Sequence, residues 1–235
     1  MSFPTIFDWL DYFSFLRGYS ATWILLGTGV LIVLFLDWRL SLLALIVQYL
    51  VTSLLFFDLL IPQLAFIKLF VGMFVCLILY WTARQITYGR KVNLTGLPRP
   101  AKAENKLQIG SLSIPRVLAE RSAAILGALL LVIVLEGGFS FSLPGLPPEM
   151  GYINRAILLL ITLGTAAVIT GRAPLPIGMG VLTFLSGFEL YLAALDQTTR
   201  TLALLAALNF IVALAVSYIT QRYYAHTAAA AANNG

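Results

Sequence analysis

Apolar residues run along this chain in blocks rather than in alternation. Seven blocks stand out, at about 21–37, 40–57, 62–83, 118–137, 154–170, 174–195 and 200–221. Each is near the length, about 20 residues of helix, that crosses a hydrocarbon core of roughly 30 Å. A lone strand would leave its backbone polar groups unpaired in lipid, so the blocks predict helices. The fold class expected is an all-α integral membrane protein, a polytopic bundle of about seven transmembrane helices. Short polar breaks at Asp37-Trp38-Arg39, at Asp58 to Pro62 and from Asp196 to Arg200 predict tight hairpins between neighbouring spans. The opening MSFPTIFDWLDYFSFLRGYS is aromatic and amphipathic and predicts an interfacial lead-in rather than a span. The closing HTAAAAANNG is of low complexity and is expected to fray.

The pattern divides the chain into three parts. Residues 1–88 form an N-terminal half of three spans with its lead-in, 89–117 a basic linker, and 118–235 a C-terminal half of four spans. Composition supports a membrane protein throughout: 60% of the residues are hydrophobic and 11% charged, where a soluble domain carries about 25% charged residues. No segment has the polar length for a separate soluble core.

Charge sets the expected orientation. The stretch from Arg84 to Arg121 holds eight of the fifteen basic residues: Arg84, Arg90, Lys91, Arg99, Lys102, Lys106, Arg116 and Arg121. By the positive-inside rule it is cytoplasmic. Residues 136–152 carry two acids and no base, and face outside. Seven spans then place the N-terminus outside and the C-terminus inside. The basic linker is either only this topology signal or also a docking surface for an acidic partner or lipid headgroups. The net charge of +5 is no nucleic-acid signal. The aromatics Trp9, Trp23, Trp38, Trp81, Tyr152, Tyr218, Tyr223 and Tyr224 fall near span ends, as an interfacial belt requires.

Little in the chain points to covalent chemistry. The lone Cys76 sits in an apolar run, and the lone His226 lies in the tail, so no metal-ligand cluster is expected. No catalytic site and no cofactor site is predicted, and GTGV and IGMGV lack the context of a phosphate loop. Gly164, Gly178, Gly180 and Gly187 are expected to let helices approach closely. The N-terminus shows no basic region before an apolar core, so no signal peptide is read there.

The residues that stand out are polar groups inside the spans. An ionisable group there costs about 2.5–3.5 kcal/mol on insertion scales. Lys68 lies in the third span, Glu189 in the sixth, Asn209 in the seventh and Gln48 in the second. Lys68, Glu189 and Asn209 lie at a common depth, roughly 9–14 Å below the outer span ends, with Gln48 a little deeper. Ser186 lies three residues before Glu189 on the same helix face. These five are the candidate proton or ion path: Glu189 as carrier, Lys68 as a fixed cation, and Asn209, Gln48 and Ser186 as groups that orient water or the carboxyl. The plainer readings are that Glu189 makes one packing hydrogen bond, that Lys68 snorkels outward, and that Asn209 and Gln48 join helices. Whether Lys68 and Glu189 meet depends on helix rotation, which the sequence does not give.

With these residues in view, the last three spans, 154–222, resemble the K-type small membrane subunit of respiratory complex I and its small counterpart in Mrp-type antiporters. In that family a basic turn leads into a helix carrying G-x-E-L-x-x-N-A; here Arg172 precedes Gly187-Phe188-Glu189-Leu190-Tyr191-Leu192-Ala193-Ala194. The family Asn is Ala193 here. The second buried acid of the family falls at Asn209, within Ala206-Ala207-Leu208-Asn209. The whole chain is similar to the longer E-type membrane subunit of hydrogenase-4 and formate-hydrogenlyase complexes, with AFIKLFVGMFVCLILYWTARQI (65–86) matching its N-terminal half. The resemblance implies a non-catalytic subunit of a redox-linked or antiporter-like proton- or cation-translocating complex. It further implies large antiporter-like subunits as membrane partners, with lipid around them, in a bacterial or archaeal cytoplasmic membrane. An amide at 209 does not exchange protons near neutral pH. A relay needing two carboxylates is then broken here or completed by a neighbouring subunit. The alternatives are a structural scaffold joining larger subunits and, with less support because no inverted repeat is visible, an independent small transporter.

Overall fold

Each predicted span becomes one helix. The computed structural model describes residues 18–35, 37–60, 62–93, 106–109, 112–137, 143–146 and 150–233. Its helices are α1 (Tyr19–Leu34), α2 (Trp38–Leu59), α3 (Pro62–Asn93), α4 (Arg116–Gly137), α5 (Gly151–Thr170), α6 (Pro174–Leu195) and α7 (Thr199–Asn233). Six of them, α2 to α7, contain stretches long and apolar enough to cross a membrane; α1 has 16 residues. The chain is a multi-pass helical membrane protein. Nearly all of the amphipathic lead-in, with Trp9, and residues 94–105 of the basic linker lie outside the described residues.

The helix ends follow local chemistry. The first span is expected to reach residue 37 but stops at Leu34, because Asp37 is the N-cap of α2 and its carboxylate accepts the Arg39 N–H at 3.4 Å. Pro174 occupies the first position of α6, where a missing N–H does no harm. The third span continues ten residues past its expected end at 83. The polar residues beyond it are compatible with a helix that leaves the membrane. The alanine-rich tail, expected to fray, stays helical through Asn233, since alanine has the highest helix propensity.

The linker holds an element that the apolar blocks do not predict. Strands β1 (Lys106–Ile109) and β2 (Leu112–Pro115) pair antiparallel, with Leu107 opposite Ile114. The signal was present: Leu107, Ile109, Leu112 and Ile114 alternate with polar residues, and only Gly110-Ser111 separates the two runs.

The two sequence halves are packed through each other. α1 packs on α5, α2 on α6, and α3 on α7, so every helix of the N-terminal half has a partner from the C-terminal half. Helices α2, α5 and α6 form the buried centre, while α4 and α7 lie at the periphery with much of their apolar surface outward. That surface includes Leu126, Leu130 and Ile133 on α4 and Leu204, Ile211 and Leu214 on α7.

Glycines set the closest helix pair. A Cβ at Gly164 would overlap the Phe184 backbone nitrogen, one at Gly180 would lie 2.8 Å from the Val168 nitrogen, and one at Gly187 would lie 2.8 Å from the Leu160 Cβ. α5 and α6 therefore touch nearly backbone to backbone, as the small residues predicted. Replacing Gly164 by Ala should destabilise the protein by about 1–3 kcal/mol, the usual cost of overpacking. Gly127→Ala on α4, where a Cβ meets nothing within 4 Å, should change little. Unfolding in mixed detergent micelles compares the two.

The core comes in two parts. One cluster gathers Leu42, Leu45 and Tyr49 of α2 with Val75 and Leu79 of α3 and Met179 and Leu182 of α6. The other gathers Leu55 and Phe56 of α2 with Ala65 of α3 and Leu190 and Ala193 of α6. Between them along the helices lies a polar layer.

A buried ion pair between two apolar cores

The polar layer is built by four helices. Glu189 of α6 is 1% exposed and Lys68 of α3 is 8% exposed, and the Lys68 ammonium donates to Glu189 Oε2. Asn209 of α7, fully buried, donates through Nδ2 to Glu189 Oε1. The same amide group also donates to the Leu205 carbonyl at 3.2 Å, while Asn209 Oδ1 accepts from the Tyr49 hydroxyl of α2 at 3.3 Å. Both carboxylate oxygens thus have a donor. The Lys68 ammonium lies 5.6 Å from the centre of the Tyr49 ring and 5.9 Å from that of Phe56. Both are within cation–π range.

Local structure explains why these groups converge. Lys68 lies six residues into α3, about 9 Å from its start, and Glu189 lies six residues before the end of α6, also about 9 Å. Their helices begin and end at the same face of the bundle. The turn from Asp196 to Thr198 brings α7 back beside α6, which sets Asn209 against Glu189. That turn is fixed by hydrogen bonds: Thr201 Oγ1 donates to Asp196 Oδ2 at 2.6 Å, Thr198 Oγ1 does so at 3.0 Å, and the Thr198 N–H donates to Oδ1 at 3.1 Å. These donors, Thr201 first, hold the Asp196 carboxyl below the usual carboxylate range. The pair of small residues at 72 and 187 lets the helices close on the layer: a Cβ at Gly72 would lie 2.7 Å from the Tyr49 ring.

Of the five predicted site residues, the structure brings three into direct contact. Lys68, Glu189 and Asn209 form one bonded group, so the three do share a depth and Lys68 does not snorkel away. Gln48 and Ser186 do not bond to it. Gln48, fully buried, accepts from Thr183 Oγ1 at 3.4 Å, and its Nε2 has no partner among the described residues. Ser186 is on the right face of α6, but its hydroxyl donates to the Leu182 carbonyl one turn back, at 2.9 Å. Among the described residues its link to the layer is through Tyr49, with which it interacts. The expected orienting role of Ser186 toward the carboxyl is therefore not carried by a direct bond.

Two participants were missed from the sequence. Tyr49 sits in the middle of a span, where an interfacial belt does not explain a tyrosine, and that position was the available signal. Arg121 was read only as a cytoplasmic charge. It is 3% exposed, and its Nη1 donates to the carbonyls of Val33, Leu34 and Phe35 at 3.1, 3.4 and 3.4 Å. It closes the C-terminus of α1. Nearby, the exposed Arg172 pairs with Glu120, and at the far end of the bundle Arg155 pairs with Glu136 at 2.8 Å.

Among the described residues no group of His, Cys, Asp and Glu is arranged to hold a metal. The fold and this layer define a helical membrane protein with an α3–α6 ion pair in a polar layer built by four helices. The chain matches no protein-family model, no curated protein and no solved structure.

Proposed function

We propose that this protein is a membrane subunit of a redox-linked or antiporter-like complex that moves protons or cations, and that Glu189 lies on the ion path. The observation that carries the reading is the buried Lys68–Glu189 pair, joined by Asn209 and Tyr49 and flanked by apolar core on both sides. A charge pair at this depth is costly in lipid and is usually kept for function. Lys68 supplies the fixed positive charge that makes an ionised Glu189 tolerable there. Asn209, at the place of a second acid in the K-type subunits that the chain resembles, holds the carboxylate and passes the connection to Tyr49 without carrying a proton. Gln48 and Thr183 extend the polar groups beyond Tyr49 on the same helices. The proposal includes large antiporter-like membrane partners, an outside N-terminus and inside C-terminus, and a bacterial or archaeal cytoplasmic membrane, all from the sequence resemblance and the loop charges.

One observation favours a second reading. Glu189 has a donor on each oxygen, and such a saturated carboxylate is also a good static joint between α3, α6 and α7. In that case the chain is a scaffold between larger subunits. Glu189→Gln separates the two. In vesicles holding the assembled complex, loss of proton uptake with normal assembly is expected for the path. Normal uptake with normal assembly would leave only the scaffold.

A further inference from the structure

Resting on the reading of Glu189 as a proton site, we infer that Glu189 is reached by protons from one end only, through the cleft between α3 and α7 beside the Asp196 turn. A cavity of about 20 Å³ lies in this cleft, with Lys68 and Glu189 in its wall. Its other lining residues show its direction. Leu64 is two residues inside α3, and Leu202 is three residues inside α7. These lie about 3 and 4.5 Å from their helix starts. Leu205 and Ala206 line it next to the ion pair. Ile67 also lines it, and Val71, three residues past Lys68, is its deepest wall on α3, so the cavity runs along the helices from within one turn of that end to just past the carboxylate. Its volume is enough for one water molecule, and the ammonium and carboxylate supply the polar partners such a water needs.

In the other direction the same seam is closed. Below the pair, Tyr49 packs on Gly72, and Val75, Leu79 and Ala213 are buried and apolar. The next polar contact on the seam is Thr82 with Ser217, at 2.5 Å. Thr82 is fourteen residues beyond Lys68, or about 21 Å along α3. Along this seam the asymmetry is thus a water-sized cavity on one side against roughly four helical turns of packed apolar residues on the other; deeper in the bundle, Gln48 of α2 and Thr183 of α6 bond to each other and not to the Lys68–Glu189–Asn209 group.

The dimensions also choose the ion. A passage one water wide that ends at a fixed ammonium keeps a cation that holds its hydration shell, such as Na⁺ or Ca²⁺, away from Glu189, while an easily dehydrated, thiophilic ion can still reach a thiol in its wall. A proton passes it by exchange: a hydronium at the mouth gives its proton to the cavity water, which gives one to Glu189 Oε2. The carboxylate becomes a carboxyl, a water is left behind, and no other reactant is needed.

The test uses thiols, and the lone Cys76 makes it clean. In a Cys76→Ala background, Ala206→Cys places a thiol in the cavity wall, and Ala213→Cys places one two turns deeper on the same helix. Gln197→Cys, on the exposed turn, reports which side of a sealed vesicle carries that end. Silver ion is added to one side at a time, in vesicles of both orientations, and the thiols left are counted with a fluorescent maleimide after solubilisation. The expected result is that the thiol at 206 reacts at least ten times faster from the side that carries the thiol at 197, while the thiol at 213 reacts from neither. Leu202→Cys at the mouth gives the same side preference if the 206 variant folds poorly. Equal rates from both sides, faster reaction from the opposite side, or no reaction at 202 and 206 would overturn the inference. The labelling does not depend on Glu189 carrying a proton. One-sided labelling together with normal uptake in Glu189→Gln would keep the access route and remove the proton role.

Discussion

Replacing Lys68 by Met should destabilise the protein by about 3–5 kcal/mol, the range for breaking one side of a buried ion pair. The size follows from what is left behind. Glu189 stays in place with 1% exposure, and Asn209 alone then faces its charge. The partner it loses is the only cation that contacts it among the described residues. Met matches the length and apolar stem of Lys, so the loss reads the ammonium rather than packing. Glu189→Gln alone strands the ammonium instead, against the rings of Tyr49 and Phe56, and is also expected to destabilise. The informative variant is the double one. Lys68→Met with Glu189→Gln removes both charges and keeps the amide contact to Asn209, so it should recover most of the single losses. A neutral replacement of a buried pair is often no less stable than the pair. Unfolding of the four proteins in mixed micelles gives the coupling directly. Additive losses would mean that the two side chains do not share one interaction. If the double variant is as stable as the native chain but takes up no protons in the complex, the pair is kept for transport and not for folding.

The sequence disclosed the depth of this site better than its wiring. Blocks of apolar residues with polar breaks fixed the number of helices and most of their ends, because in lipid the backbone leaves no other choice for segments of this length. Counting residues from the turns then put Lys68, Glu189 and Asn209 in one layer, and three helices do bring them together. Rotation about each helix axis was not readable in the same way. The apolar pattern of these spans has little amphipathic bias, since lipid and core are both apolar, so nothing along α2 announced that Tyr49 faces inward. Ser186 shows the limit of reasoning from helix faces: it shares a face with Glu189, yet a β-hydroxyl in a helix finds the carbonyl four residues back closer than any partner across the bundle. Gln48 lies at the predicted depth but turns toward Thr183. The resemblance that suggested the function has its main departure at residue 209, and that is where the structure places an amide holding the carboxylate.

Arg121→Met should cost about 2–3 kcal/mol, from the loss of a buried, charged donor to the carbonyls at the end of α1, of which that of Val33 has no other side-chain donor among the described residues. The cause lies in the length of α1. Its 16 residues give about 24 Å of helix, short of a hydrocarbon core of roughly 30 Å. The helix ends early because Asp37 begins α2, and its last carbonyls then point into the bundle. The Phe35 N–H takes Leu31, at 3.0 Å, but Val33, Leu34 and Phe35 are left for others. Ser41 Oγ reaches the Phe35 carbonyl at 3.3 Å, which leaves Arg121 as the donor common to all three. Its positive charge also suits the negative end of the α1 dipole. Lys at 121 keeps the charge and a donor but loses the planar fork, so Arg121→Lys should recover part of the loss and Arg121→Met none. Arg84→Met, at an exposed position of α3, removes an equal charge from the same basic stretch, and with it a surface interaction worth about 0–1 kcal/mol. If the basic residues served only as a topology signal, these variants would behave alike. A clear loss of unfolding stability for Arg121→Met, beside a small one for Arg84→Met, is the outcome that separates a structural arginine from a topological one.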